Sequence, residues 1–597
     1  MNVHTPKPQR GAEPPRDEDP SALIAPDCRG QNFYDIDPSL RGLLQLRLPA
    51  DLFAHMDPHY HRLGEIAGGR LDELAELADK HPPKLHHRDR FGRNEDWIEF
   101  HPAYREMEKI AFADFGIHAA THRPVLGWPT PLPYLAKYAL QYLFVQAEFG
   151  LMCPISVTDT SAFLLNRYAS PRVRARYYDR MITQDLDQLL KSAQFMTEKS
   201  GGSDVGNASL RAVPDADGET WRLYGDKWFC SCADGDLALL LARPEEAPAG
   251  SRGLALFALP RHLEDGSRNH YRIVRLKDKL GSRSMASGEI IFEGAHAYLL
   301  GKPERGLKQM MDQVNLSRLS HGVRAAAMMR RCLNEAMAVA RNRTVFGKTV
   351  IAHPLMRRQL MKLMLPTEQA LSVALYAAEL LERAEAGDTA AAARLRIITP
   401  LLKFRTARDN IAVATGAMEV RGGNGYIEDW VNARLVRDAH LGVLWEGTSN
   451  INALDVVTRA VAKEHAHEAL GAGLHAILET TDGLPGQFKG ELAGLVDRTM
   501  AYAAAVADDP DREPLARRAS AALYHMTSAV LLAEEGQRLA QVTGDARRLL
   551  LSRMVIAHRL GAEDPFSLDV PGWQERATDL LLSHEPVPIE DAASLLQ

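Results

Sequence analysis

The chain has 597 residues, of which 46% are hydrophobic and 25% are charged, and its formal net charge at pH 7 is −6. This length predicts two to four domains, and the acidic balance gives no overall basic field that would attract nucleic acid. The five cysteines are sparse and odd in number, which fits a reducing compartment better than a disulfide framework. We find no run of eighteen apolar residues and no secretion signal, so we expect a cytoplasmic protein without a transmembrane segment.

The spacing of apolar residues divides the chain into five regions. Residues 1–30 are rich in Pro, Asp and Arg and predict a mobile tail. Residues 31–192 have helical spacing and predict an N-terminal helical domain. Residues 193–300 consist of short apolar runs between Gly, Pro and Asp, which predict a middle β domain, a barrel or sandwich. Residues 301–462 contain long amphipathic stretches that predict a C-terminal four-helix bundle.

The last region, residues 463–597, is predicted to be an additional helical domain and is acidic. It has 12 Lys and Arg against 21 Asp and Glu, a net charge of −9. The order of helices, strands and more helices indicates an α+β fold. No βαβ alternation appears, and no Gly-x-Gly-x-x-Gly follows a strand, which argues against a Rossmann domain.

The first candidate motif is the loop FMTEKSGGSDVGN, residues Phe195–Asn207, where the helices give way to strands. It combines the hydroxyl groups of Thr197, Ser200 and Ser203 with two adjacent glycines. Glycine has no Cβ, so such a loop can approach a flat or phosphorylated ligand closely. An ordinary polar turn is the alternative interpretation, and taken alone it is the commoner one.

The second motif, DKWFCSC, places Trp228 on a predicted strand beside Cys230 and Cys232. The indole could stack on an aromatic cofactor, or it could simply pack in the core. No second Cys or His pair follows at zinc spacing, so we predict no metal site. Redox chemistry between the two thiols would be strained at this spacing.

Two further motifs lie at predicted helix ends. In RNRTVFGKTV, Arg343 could hold a pyrophosphate and Phe346 could cover an adenine, although a basic helix C-terminus is the alternative. In EVRGGNGYIED, Gly422 and Gly423 allow close backbone approach, although a glycine-rich C-cap explains them equally.

The last motif, LWEGTSNI, places Glu446 between an aromatic residue and a glycine, after an apolar run. Acidic residues seldom occupy apolar surroundings without a reason. Thr448 or Ser449 could cap the helix that follows, whose N-terminal amides attract phosphate. Glu446 is therefore either a base in a dry pocket or a solvated charge at a helix end.

Together and in this order, these stretches resemble the acyl-CoA dehydrogenase family over about residues 100 to 460. Within that family they are most similar to the branch of the alkylation-response flavoprotein AidB. The stretches similar to that branch are HPAYREM, GLMCPIS, MTEKSGGSDV, KDKLGSRSMASGEI, AMEVRGGNGY and LWEGTSNI. The resemblance implies the family's three-domain fold, with FAD held between the strand domain and the bundle.

The resemblance also implies roles for individual residues. The positions that match family contacts to FAD are Met196, Thr197, Gly202, Ser203, Trp228, Cys230, Ser231, Thr448 and Asn450. The positions that match contacts to the ADP part of a neighbouring subunit's FAD, and hence imply a homodimer or homotetramer, are Arg343, Phe346, Gly422 and Gly423. The positions that match substrate contacts are Asn315, Arg318, Trp445 and Gly447.

Glu446 matches the family's catalytic base, which removes the α-proton of a thioester. Some relatives place the base on an earlier helix, where this chain has Ser317, so no second base competes. The chain departs from the family pattern at two positions. Cys230 stands where a Thr or Ser usually lies near flavin N5, so either Cys230 or Ser231 could bond N5, and Arg421 replaces an apolar residue.

The resemblance leaves more than one function open. The leading hypothesis is an FAD-dependent acyl-CoA dehydrogenase of fatty acid metabolism that forms trans-2-enoyl-CoA and passes electrons to an electron-transfer flavoprotein. The alternative is an AidB-like, DNA-associated protective flavoprotein with little turnover. AidB associates with DNA through a basic C-terminal region, whereas this one is acidic, which argues against nucleic-acid binding. A flavin oxidase or monooxygenase is a third hypothesis.

Overall fold

The computed structural model describes residues 24–217, 219–561, 566–568 and 571–596. The predicted mobile tail lies, up to residue 23, outside the described residues. The chain is packed before the predicted boundary at residue 30, because Cys28 is buried and its main-chain N–H donates to Glu335 at 3.2 Å. Arg421 also donates to the carbonyls of Ala25 and Pro26. The packed part of the chain therefore begins near residue 25.

The N-terminal region is mainly helical. Its helices are α1 (Pro38–Arg47), α2 (Ala50–Gly68), α3 (Arg70–Lys80), α4 (Pro102–Glu108), α5 (Tyr134–Val145), α6 (Met152–Tyr168) and α7 (Pro171–Met181). A hairpin of β1 (Lys84–Arg88) and β2 (Asn94–Glu99) interrupts them, which the helical prediction missed. Most residues of this hairpin are exposed and polar, so no alternating apolar pattern marks its strands.

The middle region is a closed barrel. Its strands are β3 (Ser192–Phe195), β4 (Arg211–Pro214), β5 (Thr220–Ser231), β6 (Leu237–Pro244), β7 (Ala255–Pro260), β8 (Tyr271–Leu276) and β9 (Ser287–Leu300). Strands β3, β5, β9, β7 and β6 pair in a ring, which the parallel pairing of β3 with β6 closes. Each of these five strands therefore has a partner on both sides, while β8 pairs only with β9 among the described strands. The register of β5 against β9 shifts between Lys227 and Cys230, beside Trp228.

The third region contains three long helices and several short elements. They are α8 (Gly306–Asn342), β10 (Thr344–Val345), β11 (Lys348–Thr349), α9 (Pro354–Glu385), α10 (Thr389–Arg421), α11 (Gly423–Tyr426), α12 (Val431–Ala439) and α13 (Ser449–Leu454), which a π-helical turn (Asp455–Val461) continues. Helices α8, α9 and α10 pack on one another and are buried along most of their length. The predicted fold class, with a bundle after the β domain, is confirmed.

The C-terminal helices dock on this bundle. They are α14 (Ala466–Thr480), α15 (Gly486–Ala507), α16 (Ala516–Thr543), α17 (Arg547–Val555), α18 (Gly572–Leu582) and α19 (Ile589–Ser594). Arg548 of α17 pairs with Glu368 of α9 at 2.7 Å, and Gln369 donates to Ser528 of α16 at 2.7 Å. One continuous apolar core runs from Cys28 to Leu596. Within the described ranges, no helix has both the length and the hydropathy that a membrane span requires.

Candidate functional site

The turn before α13 carries Glu446 in a left-handed backbone conformation. The φ angle is +56° at Glu446 and +91° at Gly447. A Cβ atom on Gly447 would lie 3.1 Å from Nδ2 of Asn452, so a larger residue there would be both strained and crowded. Left-handed backbone at a residue other than glycine is uncommon and is concentrated at functional sites. This conformation turns the Glu446 side chain toward α8.

Side chains from three helices hold this turn through its carbonyl groups. Nε of Arg318, on α8, donates to the carbonyl of Glu446 at 3.1 Å. The carbonyl of Gly447 accepts from Nδ2 of Asn452 on α13 at 2.7 Å and from Nζ of Lys403 on α10 at 2.5 Å. The packing of the bundle therefore fixes the position of Glu446.

The Glu446 carboxylate lies in a nearly dry environment. Its side chain is 16% exposed, and its Oε1 atom lies 3.6 Å from Nη2 of Arg324. Its Oε2 atom is buried and has no hydrogen-bond partner among the described residues. Burial raises the pKa of Glu446 above its ordinary value, while the charges of Arg324, Lys403 and Arg318 oppose that rise. A desolvated carboxylate with a free oxygen is suited to accept a proton from carbon.

Lys403 is the second titrating group at this turn. Burial lowers the pKa of Lys403 to about 7, and the nearby charge of Glu446 opposes that fall. The two groups influence each other, because each one stabilises the charged form of the other. The charge state of the site therefore changes near neutral pH.

Trp445 is held beside Glu446 by aromatic and hydrogen-bond contacts. Its indole N–H donates to Nδ1 of His321 at 3.0 Å, and its ring lies 5.6 Å from that of Phe149. Burial, reinforced by the charges of Arg324 and Lys403, lowers the pKa of His321 well below its ordinary value. A neutral imidazole can accept this hydrogen bond. Trp445 thus forms a fixed apolar wall next to Glu446.

The substrate positions implied by the resemblance come together here. Arg318 donates to Asn315 at 3.3 Å and pairs with Asp455 at 2.8 Å, so Arg318, Asn315, Trp445 and Gly447 surround one turn. Ser317 lies on the same stretch of α8, where it is buried, and its hydroxyl has no partner in the part of the chain that the structure describes. Because Ser317 has no carboxylate, it cannot serve as an alternative base at the position where some relatives place one.

The predicted flavin loop closes on the start of the barrel. A Cβ on Gly202 would lie 2.7 Å from Oγ1 of Thr197, so a larger residue there would require the Thr197 side chain to shift. The carbonyl of Thr197 accepts the main-chain N–H of Trp228 at 2.8 Å, which joins the loop to β5. Trp228 is half-buried, and Nζ of Lys277 lies 3.3 Å from the centroid of its ring. An aromatic face, a close backbone approach and nearby cations suit a flat, phosphorylated cofactor such as FAD.

The remaining predicted positions on this side differ in exposure. Met196 and Thr197 are half-buried, and Ser203 is exposed. Cys230 is 0% exposed, and burial raises the pKa of its thiol far above the ordinary value, whereas Ser231 is half-buried. Successive side chains of a strand point to opposite faces, so Cys230 and Ser231 cannot both face a ligand.

The predicted ADP positions lie together at the far end of α8. A Cβ on Gly422 would lie 3.4 Å from Nη1 of Arg343, which joins the α10 terminus to the β10–β11 hairpin. Phe346, at the tip of that hairpin, is 96% exposed. At 1.5 Å per residue, Asn342 at the end of α8 lies about 35 Å along the helix from Arg318. These residues therefore cannot face the same ligand region as Arg318.

The sequence predicted that Thr448 or Ser449 caps α13, and the structure confirms the position of this cap but shows no capping hydrogen bond. Thr448 occupies the N-cap, but its side chain makes no capping hydrogen bond. Asn450, in the first turn, is exposed. Both residues therefore have polar groups that the helix itself does not use.

Sequence reasoning missed three charged residues that shape these sites. Arg324 and Lys403 flank Glu446, and Glu198 fixes the flavin loop by pairing with Lys227 at 2.7 Å and accepting the N–H of Ser209 at 2.6 Å. Arg324 interrupts the apolar run of a predicted core helix, HGVRAAAMM, and that interruption was a usable signal. Lys403 gave the same kind of signal, because it interrupts the apolar run IITPLLKF in the middle of α10, whereas Glu198 gave none, because a charge in a turn is ordinary.

Family models match most of the chain. The model described as "Adaptive response protein AidB N-terminal domain" matches residues 24–188. The model described as "Acyl-CoA dehydrogenase, middle domain" matches residues 193–295, and "Acyl-CoA dehydrogenase, C-terminal domain" matches residues 304–462. These bounds agree with the barrel and the bundle.

Individual proteins give the same result. The chain is 31% identical over 459 residues to Acyl-CoA dehydrogenase family member 11 of Caenorhabditis elegans, covering 75% of this chain and 74% of that protein. It is 35% identical over 396 residues to the putative acyl-CoA dehydrogenase AidB of Escherichia coli (strain K12), covering 64% and 70%. Its fold is similar to the crystal structure of Caenorhabditis elegans ACDH-11 in complex with C11-CoA, with a TM-score of 0.83, 28% identity and coverage of 90% and 93%.

Proposed function

The chain belongs to the acyl-CoA dehydrogenase family, FAD-binding oxidoreductases that act on acyl-CoA, and we propose that it converts an acyl-CoA thioester to the trans-2-enoyl-CoA with Glu446 as the base. A single observation carries this proposal. Glu446 presents a buried carboxylate oxygen that no described side chain engages, beside the fixed ring of Trp445. A carboxylate in this position has no evident structural use, and proton abstraction next to a carbonyl requires one.

The residues of this chain supply the proton chemistry. One oxygen of Glu446 takes the α-proton, so that the carboxylate becomes a neutral acid while the Cα–H electron pair becomes part of the new double bond. FAD, held by residues such as Thr197 and Trp228, would supply the acceptor for the hydride that leaves the β-carbon. The main-chain N–H of Glu446 makes no hydrogen bond to any described residue, so it is available to a thioester oxygen that gains negative charge.

The cofactor would be held from two directions. Thr197, Gly202 and Trp228 suit the flavin side, for the reasons of space and stacking given above. Arg343 and Gly422 lie together at the far end of α8, and by the family resemblance they would hold the ADP part of a neighbouring subunit's FAD. This arrangement supports a homodimer or homotetramer. An electron-transfer flavoprotein as the electron acceptor and a cytoplasmic location complete the proposal.

Anaerobic mixing with acyl-CoA tests the proposal. The purified holoprotein is mixed with a panel of acyl-CoAs, and the absorbance of the oxidised flavin is followed. We expect bleaching by one class of acyl chain and a loss of about 100- to 10,000-fold in its rate in Glu446→Gln, the usual range for removing a general base. Glu468→Gln, an exposed change on α14, is the control and should bleach normally. A protein that keeps its FAD but bleaches with no thioester would overturn the proposal.

The same experiment bears on the AidB-like alternative. That alternative predicts little bleaching together with binding to double-stranded DNA that weakens as salt rises. The net charge of −9 over residues 463–597 disfavours it, because DNA binding relies on clustered Lys and Arg. We therefore expect no salt-dependent shift of a labelled duplex.

A further inference from the structure

Arg324 is a buried arginine with unused hydrogen-bond donors at the proposed active site. It is 2% exposed, and its Cζ atom lies 4.8 Å from the centroid of the Trp445 ring and 5.8 Å from that of Phe149. Only Nη2 faces a carboxylate, that of Glu446 at 3.6 Å. Nε and Nη1 are buried without a partner among the described residues. Buried donors of this kind normally have acceptors.

The charges around Arg324 are also unbalanced. Arg318 and Arg396 share the carboxylate of Asp455, each at 2.8 Å, and Arg396 also pairs with Glu464 at 2.9 Å. Lys403 donates to a carbonyl and has no carboxylate within bonding distance among the described residues. The Arg324 guanidinium contacts a described carboxylate only at Glu446, and that contact is longer than the others, at 3.6 Å.

The other titratable groups nearby do not restore the balance. His321 is neutral for the reasons given above, and burial raises the pKa of the Cys153 thiol to about 11. Four basic side chains (Arg318, Arg324, Arg396 and Lys403) therefore face three carboxylates, those of Glu446, Asp455 and the half-exposed Glu464. Buried charge is costly unless it is paired, so the site favours an anionic ligand.

We propose that Arg324 is a specificity-determining residue that binds a carboxylate on the acyl group, so that the substrate is the CoA thioester of a short dicarboxylic acid. This inference rests on the proposed function, because Glu446 must be the base that places the acyl group. The Nη1–Nη2 edge of the guanidinium matches a carboxylate in geometry as well as in charge, because Nη1 is unused and the contact of Nη2 to Glu446 is long at 3.6 Å.

The position of Arg324 also limits the chain length. A carbon that gives its proton to Glu446 must lie about 3 to 3.5 Å from the carboxylate oxygen. Nη2 of Arg324 lies 3.6 Å from Oε1 of Glu446. With Oε1 as the base, Nη2 is therefore at most about 7 Å from the α-carbon, and a carboxylate oxygen bonded to Nη2 is at most about 10 Å from it, which sets an upper limit of roughly nine carbons for the acyl group.

Pairs of thioesters with the same number of carbons test the inference. Glutaryl-CoA is compared with valeryl-CoA, and succinyl-CoA with butyryl-CoA, on the holoprotein. Binding is measured by titration calorimetry and flavin bleaching by anaerobic stopped flow. The wild-type protein should bind the carboxylate member at least about tenfold more tightly, which is the strength of a charged hydrogen bond.

Substitutions of Arg324 separate recognition from positioning of Glu446. Arg324→Met should weaken glutaryl-CoA binding by about 10- to 100-fold and leave valeryl-CoA within about threefold, while Arg324→Lys restores part of the preference. Arg341→Met removes an arginine farther along α8, where it donates to the carbonyl of Leu582, and should leave the preference unchanged.

Several results would overturn the inference. Equal effects of Arg324→Met on both members of a pair would mean that Arg324 only positions Glu446. A wild-type preference for valeryl-CoA and butyryl-CoA would also overturn it, even if the Arg324 variants did not fold, and would leave the proposed function intact. Bleaching by no thioester at all would instead overturn the proposed function, and this inference with it.

Discussion

At the scale of single residues, Glu446 and its cationic neighbours decide the pH range in which the site can act. Burial raises the pKa of Glu446, and the charges of Arg324 and Lys403 restrain the rise. The base works only when it is deprotonated, so activity is present above the pKa and is lost as the pH falls through it. Because the pKa is raised, this loss occurs at a higher pH than an exposed glutamate would give.

The first prediction concerns Lys403. Lys403→Met removes a cation that lowers the pKa of Glu446, so the acid side of the rate profile should move to higher pH. The measurement is the rate of flavin reduction by acyl-CoA across acidic and neutral pH. Lys489→Met is a matched control, because Lys489 also donates to main-chain carbonyls but lies on α15. An unmoved profile, or one that moves to lower pH, would contradict the coupling.

At the scale of elements, the turn before α13 depends on a glycine that no other residue replaces well. Gly447 combines a φ of +91° with close neighbours at Asn452 and Ile451. Helices α8 and α10, which pack against the turn, are buried along most of their length. Strain at Gly447 should therefore be relieved by moving Glu446.

The second prediction is Gly447→Ala. We expect a loss of about 1 to 3 kcal/mol in the free energy of unfolding, from the strained backbone. We also expect a rate loss of about 10- to 100-fold from displacement of the base. Thermal unfolding and stopped-flow reduction measure the two effects. Gly490→Ala, in the exposed interior of α15 with open space around it, should instead stabilise the protein by up to about 1 kcal/mol. Equal behaviour of the two variants would refute the argument.

At the scale of the whole molecule, a buried charge network joins the C-terminal helices to the bundle. Arg548 pairs with Glu368 at 2.7 Å and with Glu535 at 2.9 Å. Arg330 also pairs with Glu368, and Arg47 with Glu535. These five residues come from α1, α8, α9, α16 and α17, so the network connects parts that are distant in sequence.

The third prediction follows from this network. Arg548→Met leaves buried carboxylates with one partner fewer, and should lower the free energy of unfolding by about 3 to 5 kcal/mol. Arg538→Met, which removes a half-exposed pair with Glu534 on α16, should cost less than about 1 kcal/mol. Chemical unfolding of both variants makes the comparison. Similar small losses would mean that the network contributes little.

The same network makes the free energy of unfolding depend on pH in the acid range. Burial alone would raise the pKa of Glu368, but Arg330 and Arg548 outweigh it and hold that pKa at about 2, below its ordinary value of 4.5. The stabilisation is therefore complete above pH 4.5 and is lost as the pH falls toward 2. Wild-type stability should decline through this window, and Arg548→Met should decline less steeply.

The fourth prediction concerns assembly. Phe346, Leu355 and Tyr426 expose large apolar side chains around the end of α8, close to Arg343 and Gly422. Apolar groups in such a cluster usually mark an interface. Phe346→Glu should therefore reduce both the oligomeric mass in light scattering and the FAD content. Val542→Glu, an exposed apolar position on α16, should alter neither. An intact flavin-loaded oligomer in Phe346→Glu would contradict the shared site.

The sequence by itself determined the order of helices, strands and bundle, because apolar periodicity is a local property. It also predicted the family, which the comparisons confirm, and it pointed to Glu446 as the candidate base, since its neighbours in the chain, Trp445 and Gly447, are part of the same turn. It did not reveal the hairpin of β1 and β2, whose exposed polar strands have no apolar pattern.

Only the tertiary structure decided which charges meet. Arg324 and Lys403 lie 122 and 43 residues before Glu446 in the sequence, and packing of α8 and α10 brings them to one carboxylate. The docking of the acidic C-terminal helices through Arg548 and Glu368 is likewise a long-range contact. The physical reason is that burial and Coulomb interactions depend on distance in space, which a single sequence does not record.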